Sequence, residues 1–301
     1  MKDYVALFRQ KIAEIDQEVK AVHIVNAGNM NHGKSSIFNS LLDHIHFAEE
    51  DIRTTVVADK ALWQENVYLV DTPGLDAEDI DDTEAYKAYP RANVIVFVHT
   101  LGTGELHANE LEAINKIKTL FASEDFFWQH FCLVLTAADA QDEENLAKIK
   151  DKIMLDVKNI CGGEKFRTFV VSNPRYRKGR DENKAVLLNK SGITELRDYL
   201  QSHVGEWLAE NDVFRKTRIH MEKEKLLKEL NQERAIIENT METKEDIRKT
   251  KQQIILTQLE NILGEQEELE EELKSRTARL SDMKYRLKGL REQHERSKAN
   301  F

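Results

Sequence analysis

The octapeptide Gly28-Asn29-Met30-Asn31-His32-Gly33-Lys34-Ser35 constrains this chain more than any other feature, because it dictates three elements at once. It fits the pattern G-x-x-x-x-G-K-[ST], follows the apolar run at 21–28 and precedes a helical pattern over Lys34–Leu42. A strand must therefore run into a tight turn, and a helix must leave it. The glycines let successive backbone N–H groups curl around phosphate oxygens. The positive end of the following helix faces the same point. Lys34 adds a point charge for β- and γ-phosphates, and the Ser35 hydroxyl is a hard oxygen ligand suited to Mg²⁺. Gly28, Asn29, Asn31, Gly33, Lys34, Ser35 and Ser36 are the candidate nucleotide-binding residues of this loop.

Residues 21–205 alternate short β-branched or aromatic runs with helical patterns. The runs lie at 21–28, 56–63, 66–71, 93–99, 131–136 and 167–172; the helical stretches are Lys34–Leu42, Asn109–Phe121, Glu143–Ile160 and Gly192–Leu208. Such alternation predicts an α/β fold in three layers, with a mostly parallel sheet between helices and ligands at the carboxyl ends of the strands.

Further residues gather at that end. In Leu69-Val70-Asp71-Thr72-Pro73-Gly74-Leu75, Asp71 closes an apolar strand and is placed to hold a magnesium-bound water, while Gly74 offers an N–H to a γ-phosphate. Between the two motifs lies Asp51-Ile52-Arg53-Thr54-Thr55, from which Thr55, with Thr54 as the alternate, can complete the magnesium shell. Thr136-Ala137-Ala138-Asp139 follows the fifth run; a carboxylate at Asp139 accepts from guanine N1 and the 2-amino group, neither of which adenine offers in that geometry. Ser172-Asn173-Pro174 ends the sixth run, where contacts to guanine O6 are expected. The metal set is thus Ser35, Thr55 and Asp71, and the base set Thr136, Asp139, Ser172 and Asn173.

Together these motifs resemble the TRAFAC-class P-loop GTPases, in the Era-like and dynamin-like branch, over roughly residues 20–205. The resemblance implies a protein that binds GTP and GDP with Mg²⁺, hydrolyses GTP, and couples nucleotide state to a helical tail, as small dynamin-like proteins do. Thr54-Thr55 then lies in switch I and Asp71–Gly74 begins switch II. Three departures stand out, one being Ser172-Asn173-Pro174 in place of the usual S-A-[KL]. The family motif [NT]-K-x-D has Ala137 in place of its lysine, and the position after Gly74 is Leu75 rather than a water-orienting glutamine. Relatives without that glutamine hydrolyse with help from a dimer partner, a backbone group or a monovalent cation. Asn31 stands where potassium-activated members carry an asparagine that holds K⁺ against the phosphates. Lys34, Thr55, Gly74 and Asn31 form the implied catalytic set. Self-association through the nucleotide-binding domain or a coiled coil, and a protein partner, are implied as well. An assembly GTPase acting on a ribosome or another complex, and a coiled-coil scaffold with little turnover, are the rival readings.

The remaining chain is helical. Residues 1–20 read as an amphipathic helix whose Tyr4, Val5, Leu7, Phe8, Ile12 and Ile15 share a face packed on the domain, with a membrane-surface or partner-binding helix as the alternative. Residues 21–208 read as the nucleotide-binding domain and 209–301 as a helical segment. No proline occurs between Arg215 and Asn300, and Ile255, Leu259, Ile262, Gln266, Leu269, Leu273, Arg276, Leu280, Met283, Leu287 and Leu290 follow heptad steps. The register breaks through Asn239–Arg248, which fits a helical hairpin, with a single long rod as the alternative.

Charge excludes one class of partner. Residues 206–301 carry 20 basic against 21 acidic residues, leaving 24 against 33 in residues 1–205, so a nucleic acid would be repelled by the front of the chain. Cys132 and Cys161 are far apart and suit a reducing, cytoplasmic setting. There is neither a secretory signal nor an apolar run long enough to span a bilayer, so membrane contact is expected only through a partner. Among the histidines, His23 reads as a buried or edge strand residue, His32 as a solvent-facing loop residue, and His44-x-His46 as a pair too poor in further ligands to hold a metal.

Overall fold

The computed structural model describes residues 3–49, 58–75, 85–137, 143–163, 165–240 and 245–298. The chain divides into two compact units, Ala13–Met221 and Met1–Ile12 with Glu222–Phe301.

In the first unit, β1 (Val22–Ala27), β2 (Asp59–Gln64), β3 (Val67–Asp71), β4 (Val94–Thr100), β5 (Phe131–Thr136) and β6 (Arg167–Val170) form a sheet of order β2-β3-β1-β4-β5-β6. Only β2 runs antiparallel to its neighbour. β1, β4 and β5 are interior parallel strands covered on both faces, which is why they read as almost unbroken apolar runs. The alternation of side chains sorts them into two cores. Val25, Ala27, Ile95, Phe97, Leu133 and Leu135 face one layer, packed on α3 (Ala108–Lys118), α4 (Glu124–Gln129) and α5 (Glu143–Cys161). Val22, Ile24, Val94, Val96, Val98 and Val134 face the other, packed on α2 (Lys34–Leu42), α6 (Asn173–Asp181) and α8 (Ile193–Ala209), with α7 (Ala185–Lys190) between the last two. The α/β architecture expected from sequence is the observed one.

Because β1 lies between β3 and β4, the chain leaves it in both directions across the sheet. That topological switch point opens a crevice at the carboxyl ends of the strands, where β1 runs into Gly28–Ser35 and β3 ends at Asp71.

The starts of two short helices follow local rules. Ser172 caps α6 by accepting from the Arg175 N–H at 3.2 Å, with Pro174 in the first turn. Ser123 caps α4 through the Phe126 N–H at 3.1 Å. Both helices are shorter than ten residues, and neither was legible as an apolar period.

In the second unit, α9 (Asn211–Thr240), which enters from the first, and α10 (Glu245–Lys298) join the start of α1 (Tyr4–Glu18). Tyr4, Phe8 and Ile12 are buried on one face of α1, spaced by four. Leu226, Leu230, Ile255 and Ile262 are buried too, whereas Leu280, Met283, Leu287 and Leu290 of the same heptad seam are exposed. Arg9 donates from Nε to Glu265 Oε1 at 2.8 Å. Burial and the nearby Glu233 carboxylate push the Tyr4 hydroxyl upward. Tyr4 and Arg9 are five residues apart, about 8 Å along a helix, whereas Glu233 and Glu265 would stand about 48 Å apart on one straight rod.

Candidate functional site

The loop after β1 takes its shape from backbone that only certain residues tolerate. Gly28 has φ +133°, and a Cβ there would overlap the Val98 carbonyl of β4. Asn31 holds φ +60° and is exposed at the loop tip, and Gly33 holds φ +90° as the N-cap of α2. The Ile37 N–H closes the first helical turn on Gly33 O at 3.0 Å, so α2 begins under the loop with its positive end toward the crevice.

Lys34 is buried, with Nζ donating to its own loop at Asn29 O, 2.8 Å away; burial pulls its ammonium down to about 8, with Asp71 and Glu110 opposing. Asn29 also accepts at Oδ1 from Asn109 Nδ2 of α3 at 3.1 Å. Ser35 Oγ donates to Asp71 Oδ2 at 2.8 Å, joining residues 36 apart in sequence. Burial pushes the Asp71 carboxyl up, while hydrogen bonds from Asn26 and Ser35 and the charge of Lys34 act against it. A cation placed beside this pair would relieve the buried carboxylate, and the donor set of one hydroxyl and one carboxylate is that of a hard divalent ion such as Mg²⁺.

Asn26 was missed from sequence, yet it organises this corner. Fully buried in β1, it donates to Asp71 and accepts at Oδ1 from the Thr72 N–H at 2.8 Å. An amide in the middle of an apolar strand was the available signal.

Gly74 lies against the loop so closely that a Cβ would stand 2.6 Å from Met30 Cα and 2.7 Å from Met30 N. Leu75 N–H donates to Gly28 O at 3.1 Å and Met30 N–H to Leu75 O at 3.2 Å, pairing the two motifs as short parallel β structure. Leu75 itself is buried.

The base-side residues converge on the other flank. Thr136 Oγ1 donates to His32 O at 2.8 Å, so the end of β5 is tied to the loop. A Cβ on Gly33 would lie 3.5 Å from Thr136 Cγ2 and 3.8 Å from Asn173 Nδ2. Ser40 Oγ donates to Asn173 Oδ1 at 3.0 Å. Ser172 is buried and its hydroxyl caps α6. Ser36 Oγ donates to Glu49 Oε2 at 2.8 Å and so anchors the segment after α2. Arg53, Thr54, Thr55 and Asp139 lie outside the described residues. His32 does not face solvent: it is buried, because the loop turns its ring inward onto His99 and Glu110.

Residues 23–127 match the family model described as 50S ribosome-binding GTPase. The six-stranded sheet with its phosphate loop has the P-loop GTPase fold. Over 183 residues the chain is 33% identical to an uncharacterized protein of Acinetobacter baylyi, covering 60% of this chain and 41% of that protein. The chain thus spans less than half the length of this curated relative. A structure of an oligomerised bacterial dynamin pair, described as a mechanism for the long range sensing and tethering of membranes, aligns at TM-score 0.52 and 16% identity, covering 84% of this chain and 51% of that one. That likeness shows the fold. Toc33 from Arabidopsis thaliana, in complex with Mg²⁺ and GMPPNP, aligns at TM-score 0.43 and 19% identity over 56% of this chain and 79% of that one. Among the described residues, no helix is long and apolar enough to cross a membrane.

Proposed function

We propose that this chain binds GTP and GDP with Mg²⁺ on Gly28–Ser35 and hydrolyses GTP to GDP and phosphate. The observation that carries the reading is the pairing of Ser35 with Asp71 at the mouth of the loop, beside a buried Lys34 whose Nζ donates to the loop carbonyl of Asn29. In this reading Lys34 neutralises the β- and γ-phosphates, Ser35 ligates Mg²⁺ directly, Asp71 holds one of its waters, and Gly74 donates its N–H to the γ-phosphate. Thr55 closes the metal shell, Asp139 reads guanine, and Thr136, Ser172 and Asn173 shape the base pocket. Asn31, exposed at φ +60°, offers its carbonyl to K⁺ in this reading. Catalysis is positioning and charge neutralisation, with no covalent intermediate.

The nucleotide-binding module is residues 21–208, and the tail 209–301, folded as a hairpin beside the helix of 1–20, reads its state in a dynamin-like manner. The placement of Glu233 and Glu265 near one end of α1 supports the hairpin over a rod. Self-association activates turnover, since Leu75 cannot orient water and is packed into the core. The chain works in the cytoplasm with a protein partner and meets membranes only through one.

Calorimetry with GTP, GDP and ATP in Mg²⁺ tests binding: guanine nucleotides bind, ATP binds at least about tenfold more weakly, and Asp71→Asn weakens the Mg²⁺-dependent part by a similar factor. Phosphate release in KCl and in NaCl, at rising protein concentration, tests turnover. A specific rate that climbs with concentration, and is faster in KCl, is expected. Binding without phosphate release in any condition would favour the scaffold reading instead.

A further inference from the structure

We propose that His32, His99 and Glu110 form a binding site for a single borderline divalent cation of the Zn²⁺ class, separate from the Mg²⁺–nucleotide chemistry. The three residues come from three elements: the phosphate loop, β4, and the first turn of α3. All are buried, and Glu110 and His99 are completely so. Their ligand atoms lie within 4.8 Å of one another.

The hydrogen-bond inventory calls for a cation. His99 Nε2 is 2.9 Å from Gly104 O, a carbonyl that can only accept, so Nε2 carries a proton. In the neutral ring Nδ1 then presents a lone pair, yet it sits 3.0 and 3.1 Å from the two Glu110 oxygens. Two acceptors face each other, and something positive must stand between them. One proton on His99 would satisfy that pair alone. His32 Nδ1, 3.3 Å from the same Glu110 Oε1, is buried without a hydrogen-bond partner. One metal ion satisfies both imidazoles and the carboxylate together.

The separations of both imidazoles from the carboxylate fit that ion. Nitrogen and oxygen ligands at about 2.0–2.2 Å in a tetrahedron stand about 3.3 Å apart, close to the 3.0 and 3.3 Å seen here. The outer partners are those of a ligating set: His99 is oriented by the Gly104 carbonyl, and Glu110 Oε2 accepts from the His107 N–H at 2.9 Å. Two imidazoles and one carboxylate select Zn²⁺, Co²⁺ or Ni²⁺ over Mg²⁺ or Ca²⁺, and three protein ligands leave one position for water. Such an ion would lock the loop that carries His32 to the start of α3.

The test uses the full chain, stripped with a chelator and free of nucleotide. ZnCl₂ titrated calorimetrically should bind at one equivalent per chain, and CoCl₂ should produce the intense visible bands of four-coordinate Co²⁺. His99→Gln and Glu110→Gln should each weaken binding by more than about 100-fold, beyond what losing an outer partner costs. His32→Asn changes only the loop ligand, and decides the matter if the other variants do not fold: it should weaken Zn²⁺ and reduce the Co²⁺ bands. His44→Ala with His46→Ala, which removes the exposed pair, should leave one equivalent in place. The proposal is overturned if the stripped protein takes up no Zn²⁺ or Co²⁺, if binding survives in His32→Asn unchanged, or if it disappears with His44 and His46. Because nucleotide is absent throughout, failure here leaves the GTPase reading untouched, and failure of GTP binding leaves this one standing.

Discussion

Asn26 makes the clearest residue-scale case. Its side chain touches both the Asp71 carboxylate and the Thr72 backbone, so Asn26→Val removes a donor and an acceptor from a buried site and leaves Asp71 desolvated with one hydrogen bond fewer. A loss of roughly 2 kcal/mol in urea unfolding is expected, together with weaker Mg²⁺-dependent nucleotide binding. His23 supplies a pH dependence. Buried in β1 and stacked on Tyr68, its imidazole is pulled down to about 4 by burial first, then by Arg218, Lys60 and Arg91. Below the ordinary histidine value the unfolded chain takes up a proton that the folded chain refuses. Stability from this group is therefore complete above about pH 6.5 and falls as pH drops toward 4, by about 3 kcal/mol in the limit. Thermal melts of His23→Phe, which keeps an aromatic stack, should show a shallower loss than wild type across that window.

Elements are held at the site by polar clamps as well as by the two cores. Asp43, the left-handed C-cap of α2, accepts from the Tyr176 hydroxyl of α6 at 2.6 Å, from Arg180 Nη1 at 2.9 Å and from Arg197 Nη2 of α8 at 2.9 Å. One carboxylate thus joins three helices on one face of the sheet. Asp43→Ala should cost roughly 1–3 kcal/mol in denaturant unfolding, since Tyr176 and Arg197 are left short of a partner. Asp43→Asn keeps the preference for left-handed backbone and an acceptor oxygen and should cost less. Helices of this kind were the least legible elements. The apolar runs announced β1, β4 and β5 because burial on both faces demands it, and Lys34–Leu42 announced α2. α4 and α6 depend on a capping serine and on packing, with too few turns for a period to emerge.

At the scale of the molecule, the unit containing α10 rests on a small core in which Tyr4, Phe8, Leu226, Leu230, Ile255 and Ile262 are all buried. Ile262→Asp places a charge where the side chain is fully buried and should melt that unit at lower temperature, read as lost helical ellipticity by circular dichroism. Leu280→Asp, at a position 48% exposed in the same seam, should leave the melting temperature of the single chain unchanged, and would lower it only if the seam is covered by another molecule in solution.

What residue order alone determined is what neighbouring residues can enforce: a strand, a glycine turn and a helix around Lys34, apolar strands of interior length, and a heptad-patterned tail. Those follow from backbone sterics and from periodicity, which act within a few residues. Only the tertiary structure decided which distant groups meet. Ser35 finds Asp71 because β3 pairs beside β1. His32 turns inward because β4 and α3 bring His99 and Glu110 beneath the loop. A lone histidine or glutamate carries no mark of its partner in sequence, since the energy of a buried charge is set by what surrounds it in space.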